Sequence, residues 1–270
     1  MSEAADPSDE SDLSRFGYPQ ELKRTLNLLA SFSIAFSYIS PVVGVYTLFG
    51  YGLATGGPAF IWGLPIVVAG QMLVALVFAE LSVAYPLAGA LYQWARRLVG
   101  PRYGWFVGWI YGWALIITIA AVDLGAAPYL AQLLGLEPSR ATLLALAVAL
   151  LVVHTVVNRA GVRATALITT LGLATEVVAT IVIAGALLVR PGGGRGLLPV
   201  ATLLSRETPA GTAGAAEFLA AILALAWIFY GFESAADVAE EVIAPGRRVP
   251  RAMILSLIGA AACTAPAHDR

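Results

Sequence analysis

Apolar residues run along this chain in long blocks separated by short polar segments. A helix needs about 20 apolar residues to cross a bilayer. On that measure the pattern predicts spans near 29–52, 61–83, 105–131, 139–157, 164–189 and 217–239, with a seventh starting near 250 and cut short. Segment 84–104, "AYPLAGALYQWARRLVGPRY", is too polar to span. In it Leu91, Trp94, Ala95 and Leu98 recur at helical spacing with Arg96 and Arg97 opposite, so it predicts a short amphipathic helix at the inner interface, ended by Gly100 and Pro101. "RPGGGRGLLPVATLLSRETPAGTAG", Arg190 to Gly214, reads as a mostly irregular external loop with room for a short interfacial helix.

Composition agrees with this layout. Of 270 residues 59% are hydrophobic and 12% charged, and mean hydropathy is +0.80. Soluble domains carry about 25% charged residues. Charge placement then sets a topology. With the N-terminus inside, the inner segments hold Arg15, Lys23, Arg24, Arg96, Arg97, Arg102, Arg159, Arg163, Arg247, Arg248 and Arg251, against Arg140, Arg190, Arg195 and Arg206 outside. That asymmetry predicts a cytosolic N-terminus in a multi-pass protein of the plasma (inner) membrane. Residues 1–27, acidic then basic, read as a disordered cytosolic tail with no signal peptide. A net charge of −1 argues against a nucleic-acid partner, and the lone Cys263 excludes an internal disulfide or a multi-cysteine metal site.

The first span contains its own breakers: Ser40, Pro41, Gly44, Gly50 and Gly52. The sixth, "LALAWIFYGFESAADVAEE", places Gly231 between Tyr230 and Phe232, with Glu233, Ser234 and Asp237 following. In lipid, broken helix is tolerated only against protein or a water-filled cavity. Free N–H groups at one half-helix end suit a carboxylate, and free carbonyls at the other suit an ammonium group. Two breaks five spans apart fit an inverted repeat around a midplane binding site. Small residues also serve helix packing, which is the alternative for either cluster alone.

Other intramembrane polar residues are Glu80, Asp123, His154 and Glu176. Glu80 and His154 lie near inner span ends, where interfacial solvation accounts for them. Asp123 and Glu176 lie deeper, as candidate proton-carrying carboxyls or as hydrogen-bonded members of the bundle. No catalytic constellation or nucleotide-binding motif occurs, so neither an enzyme nor a bound cofactor is expected, and uphill transport would draw on an ion gradient or exchange.

Three stretches resemble the amino acid–polyamine–organocation superfamily of permeases. "TLFGYGLATGGPAFIWG" is similar to the first hairpin of its amino acid and choline transporter branch. "AELSVAYPLAGALYQWARRLVGPRYGWFVGWIYGW" resembles the second span, inner loop and third span through Glu80, Pro86, Gly89, Tyr92, Gly108 and Trp109, with Ala90 replacing a frequent second glycine. "FYGFESAADVAEEVIAPGRRVPRAM" looks like the sixth span and its following loop, with Gly231, Phe232 and Glu233 as the glycine–aromatic–acid trio.

The resemblance implies an all-α polytopic membrane protein, the first half of a five-plus-five inverted-repeat transporter, with about six complete spans and a truncated seventh. Its parts would be the tail at 1–27, a first repeat at 28–189, an extracellular loop at 190–216 and the start of the second repeat at 217–270. By position, Ser40, Pro41, Val42, Val43 and Gly44 would offer backbone to a substrate carboxylate. Phe229, Tyr230, Gly231 and Phe232 would offer carbonyls to its amine and an aromatic gate, with Glu233 as a further contact. Some relatives place a basic residue in span five where others bind sodium; here that span has none beyond its inner end, so proton and sodium coupling both stay open. The implied function is amino acid permeation by alternating access. An organic amine, choline or polyamine permease is the alternative, and a non-transporting receptor or assembly subunit is the alternative of another class. The closing "GAAACTAPAHDR" turns polar and reads as a truncation or shifted frame, so a missing second half or another copy of the chain would be a partner in activity, beside the small-molecule substrate and the bilayer.

Overall fold

The computed structural model describes residues 16–17, 21–189 and 200–264. The tail at 1–15 and 18–20, the loop at 190–199 and the closing 265–270 lie outside the described residues, and the expectations for those segments with them. The chain divides into two compact units, Met1–Ala88 with Ile168–Arg270, and Gly89–Leu167.

The first unit opens with α1 (Leu28–Ile39), started by Asn27, whose side chain accepts the Ala30 N–H. The helix stops at Ser40, which turns left-handed (φ 39°, ψ 69°). Pro41 has no N–H to give and begins a new helix, α2 (Pro41–Gly56). A short 3₁₀ segment (Pro58–Trp62) leads into α3 (Gly63–Ala84). Helix α7 (Val162–Val189) starts in the second unit and continues into the first.

Beyond α7, a segment that holds a helical turn α8 (Val200–Leu203) and a two-stranded hairpin of β1 (Glu207–Thr208) and β2 (Gly211–Thr212) leads to α9 (Ala215–Ile228). The sixth span is therefore split. Its first half is only 14 residues long, followed by irregular backbone, a turn α10 (Ser234–Asp237) and a 3₁₀ turn (Ala239–Glu241).

The last helix, α11 (Pro245–Thr264), begins five residues earlier than the apolar pattern predicts, because Pro245 starts a helix well and the arginines ride on its first two turns. Val249, Ala252, Met253, Ser256, Leu257, Ala260 and Thr264 form its buried stripe, packed against α1, α2 and α3. Helix α9 packs on α2 and α3. Before span one, Thr25 and Leu26 N–H donate to the Glu241 carbonyl (2.8 and 2.9 Å), and Ile243 N–H donates to the Leu26 carbonyl (2.9 Å). The strand-like entry to span one is thus stapled to the exit of span six. The Glu240 carboxylate also accepts the Ala88 N–H at 3.1 Å.

The second unit holds α4 (Ala90–Leu98), α5 (Pro101–Leu133) and α6 (Arg140–Arg159). Helix α4 is the expected amphipathic helix, with Trp94 buried, though Leu98 is exposed. It lies against α5 so closely that a Cβ on Gly108 would stand 2.9 Å from the Tyr92 ring. Ala90, in the place of the frequent glycine, has a positive φ of 21° and no exposed surface, a conformation glycine adopts more readily.

Among the described residues, five segments are long and apolar enough to cross a membrane: Leu28–Val45, Pro58–Ala84, Pro101–Leu133, Arg140–Arg159 and Val162–Ile183. Their outward Leu, Ile, Val and Trp side chains are widely exposed, as lipid contact requires. The molecule is an all-α polytopic membrane protein apart from the small hairpin.

Candidate functional site

Within the first unit, the two breaks meet. Gly231 carries φ 113°, a left-handed backbone that side chains rarely adopt, and a Cβ there would overlap the Tyr38 ring. Tyr38 stands one turn before the break in span one, and its ring meets Tyr230 edge-on at 6.1 Å between centroids. Its hydroxyl is buried at the break. Four residues into α2, a Cβ on Gly44 would come 2.8 Å from Ile228 at the end of α9. Glycines on both sides therefore let the breaks close on one another.

The span-six break is held by its own residues. Helix α9 ends at Ile228, and the Phe229 and Tyr230 N–H groups turn back to the Trp227 carbonyl. The Ala226 carbonyl accepts the Gln71 side-chain amide at 3.3 Å. Ser234 returns both its N–H (3.1 Å) and its hydroxyl (2.8 Å) to the Gly231 carbonyl, restarting the helix. Phe229, Phe232 and Glu233 are all buried, and the Phe232 ring meets Phe78 of α3 at a tilt, 6.0 Å between centroids. The carbonyl end of a half-helix carries partial negative charge and favours a cation. Glu233 and Asp237 add acidic groups close to both tyrosines.

The span-one break differs from its sequence reading in one respect. Helix α2 has no cap from Ser40. Its cap comes instead from Glu176 of α7, whose carboxyl oxygen accepts the Val42 N–H at 2.9 Å and the Ser40 hydroxyl at 3.4 Å. A cap of this kind is worth about 1–2 kcal/mol. Ser37 also donates its hydroxyl to the Thr169 carbonyl of α7 at 3.1 Å, so α7 is tied to both sides of the break. Pro41, Val42, Val43 and Gly44 form the first turn of α2, with the Gly44 N–H returned to the Ser40 carbonyl at 3.1 Å.

In the second unit Asp123, buried on α5, stands 3.5 Å from His154 Nδ1 on α6. The sequence reads His154 as an interfacial group. The helix pairing instead makes it the neighbour of a buried carboxyl, a relation between residues 31 positions apart that spacing along one helix does not reveal. The half-exposed imidazole connects Asp123 to its surroundings.

Long apolar helices, two of them interrupted where they meet, define a polytopic membrane protein of the transporter class. The amino acid permease family matches residues 26–267, and the chain belongs to that family. It is 42% identical over 123 residues to the amino-acid permease BAT1 homolog of Oryza sativa subsp. japonica, covering 45% of this chain and 24% of that protein. An uncharacterized amino-acid permease of Schizosaccharomyces pombe is 29% identical over 263 residues, 92% of this chain and 48% of its own length. A thiamine transporter of the same yeast is 36% identical over 109 residues, 40% of this chain and 18% of that protein. The chain spans about half the length, or less, of these relatives. They are transporters of small molecules across membranes, not enzymes.

Proposed function

We propose that the protein carries a small amine-bearing solute, an amino acid in the first instance, across the plasma membrane by alternating access, with its N-terminus in the cytosol. One observation carries this reading: the break of span one and the break of span six close on each other through Tyr38 and Gly231. Broken helices at membrane depth are tolerated where they line a solute or water cavity.

In this reading Phe229 and Tyr230 turn backbone carbonyls toward the solute's amine, Gly231, whose own carbonyl is held by Ser234, gives the break its turn, and Phe232 and Tyr230 form the aromatic gate. Glu233 supplies negative charge behind them. Ser40, Pro41, Val42, Val43 and Gly44 line the opposite pole. Asp123, through His154, and Glu176 are the groups assigned to proton coupling. Residues 28–189 form a first repeat, 190–216 the external loop and 217–270 the start of a second repeat, which a longer form of the chain or another copy would complete. The names of the relatives, amino-acid permeases and a thiamine transporter, support a nitrogen-bearing substrate.

The test is uptake of labelled amino acids and amines by membrane vesicles containing the protein. Saturable uptake abolished by Gly231→Leu is the expected result. Absence of uptake for every amino acid and amine tried removes the reading. Uptake that survives collapse of the proton gradient removes the proton-coupling part alone.

A further inference from the structure

A carbonyl at the end of a broken helix needs a donor from elsewhere when it lies in a membrane span. In an unbroken sixth span the Ala226 carbonyl would accept the Tyr230 N–H, four residues on. At the break that N–H turns instead to the Trp227 carbonyl, at 3.3 Å. The Ala226 carbonyl is taken by the side-chain amide of Gln71, also at 3.3 Å. Gln71 thus supplies, from another helix, the bond that the break removes. Polar side chains between membrane helices serve in this way. The amide is also neutral, so it holds this carbonyl without cancelling the partial negative charge of the helix end.

Gln71 stands on α3, which runs without interruption from Gly63 to Ala84. Seven residues on, Phe78 shares its face of the helix, about 10 Å further along the axis. The Phe78 ring meets Phe232 at 6.0 Å between centroids. Ala226 and Phe232 lie on either side of the irregular backbone at Phe229–Gly231. Ala75, one turn from both Gln71 and Phe78, has no exposed surface. Before Gln71, α3 meets α9 so closely that a Cβ on Gly63 would stand 2.7 Å from Ile222. The contacts of Gly63, Gln71 and Phe78 follow the same order along both spans. A straight helix therefore splints the broken one, and Gln71 is the polar contact of the splint.

We propose that Gln71 is a positioning residue for solute binding: by holding the Ala226 carbonyl it keeps α9 from winding on past Ile228, which leaves the Phe229 and Tyr230 carbonyls turned toward the solute. This rests on the reading of the two breaks as a solute site. Without the amide, the Ala226 carbonyl draws the Tyr230 N–H back into helix, and those two carbonyls turn along the axis. The loss then falls on the part of the solute that they meet, its amine, and spares the rest.

The experiment is equilibrium binding to the purified chain of three matched pairs that differ by an amine: leucine against isocaproate, phenylalanine against hydrocinnamate and γ-aminobutyrate against butyrate. The wild type is expected to bind the amine-bearing member of at least one pair ~10-fold or more tightly than its partner, about 1.4 kcal/mol. Gln71→Met, similar in length and without a donor, is expected to cut that preference ~10-fold by weakening the amine-bearing member alone. Gln71→His returns an N–H donor and is expected to restore most of the preference. Ser82→Ala removes a buried hydroxyl bond to the Ala79 carbonyl (2.8 Å) elsewhere on α3 and is expected to leave the ratio unchanged. If Gln71→Met does not fold, Gln71→Asn decides, since its amide stops one carbon short: a lost preference supports the inference and a retained one overturns it. A folded Gln71→Met with the wild-type ratio overturns the inference and leaves the solute site standing. So does a Gln71→Met that weakens both members of a pair alike, because the amide then only holds the helices together. A wild type with no preference for the amine-bearing member of any pair overturns the inference together with the site on which it rests.

Discussion

Replacing Gly231 by alanine probes the junction of the two breaks with a single carbon. Two costs add. A side chain at φ 113° sits in a region that costs non-glycine residues about 1–3 kcal/mol. The new Cβ overlaps the Tyr38 ring, which is itself packed against Tyr230, and forcing extra carbon into packed surroundings costs about 1–3 kcal/mol more. The expected loss for Gly231→Ala is therefore about 2–6 kcal/mol, a large share of the ~5–15 kcal/mol that holds a typical domain folded. The assay is denaturant unfolding of the detergent-solubilised chain, run beside Gly112→Ala. Gly112 lies inside α5 with open space where a Cβ would go, and alanine is the better helix former, so that variant is expected to be neutral or slightly more stable. Tyr38→Ala combined with Gly231→Ala separates the two costs: it removes the overlap but keeps the unfavourable φ, so the double variant recovers about half the loss relative to Tyr38→Ala alone. A Gly231→Ala chain as stable as Gly112→Ala refutes the reasoning, and so does a loss that Tyr38→Ala does nothing to relieve.

Three further outcomes follow from the same contacts. Gly44→Ala drives a Cβ to 2.8 Å from Ile228 and is expected to cost about 1–3 kcal/mol of unfolding free energy, relieved when Ile228 is shortened to alanine in the same chain. His154→Leu strips the buried Asp123 of its neighbour and is expected to destabilise by about 1–3 kcal/mol. Adding Asp123→Asn should restore part of that, whereas strictly additive losses in the double variant would show the pair to be uncoupled. Glu241, beyond the span-six break, has its carboxyl pushed above the usual 4.5 by burial and then by Glu240 beside it. The folded chain thus holds that proton more tightly than the unfolded one, so this group's contribution is fully present below the ordinary carboxyl range and is lost as pH rises through the raised value. Glu241→Gln is expected to gain stability over wild type at neutral pH and to match it at acidic pH; melting curves at the two pH values check the sign.

How much of this was legible in the sequence follows from distance along the chain. The break at Ser40–Pro41 and the one around Gly231 are local events: a residue without an N–H, and a glycine among aromatics that takes a positive φ. The amphipathic α4 was legible for the same reason, as a stripe at helical spacing ended by Gly100 and Pro101. That Glu176 caps α2 was not, because its partners lie 134 and 136 residues away and a glutamate in a span looks alike whether it carries a proton or holds a helix end. The pairing of Asp123 with His154 was hidden likewise, since it depends on the rotation of α6 against α5. Nor does hydropathy tell a full span from a half: the sixth apolar block is as long as its neighbours, and only the backbone at Phe229 and Gly231 shortens its first helix to 14 residues. The small hairpin was missed because two-residue strands leave no alternating pattern to read.

The central claim is that a solute sits where the two breaks meet, and chemical protection tests it most directly. In a Cys263→Ser background, Tyr230→Cys would be exposed to a water-soluble maleimide in membrane vesicles, with and without a mixture of amino acids and their decarboxylated amines. Leu204→Cys, exposed in the loop between α8 and β1, serves as the control. The account predicts that the cysteine at position 230 reacts, showing water at the break, and that the mixture slows it several-fold while position 204 is unaffected. A cysteine at 230 that never reacts, or that reacts at the same rate with and without the mixture, would contradict it.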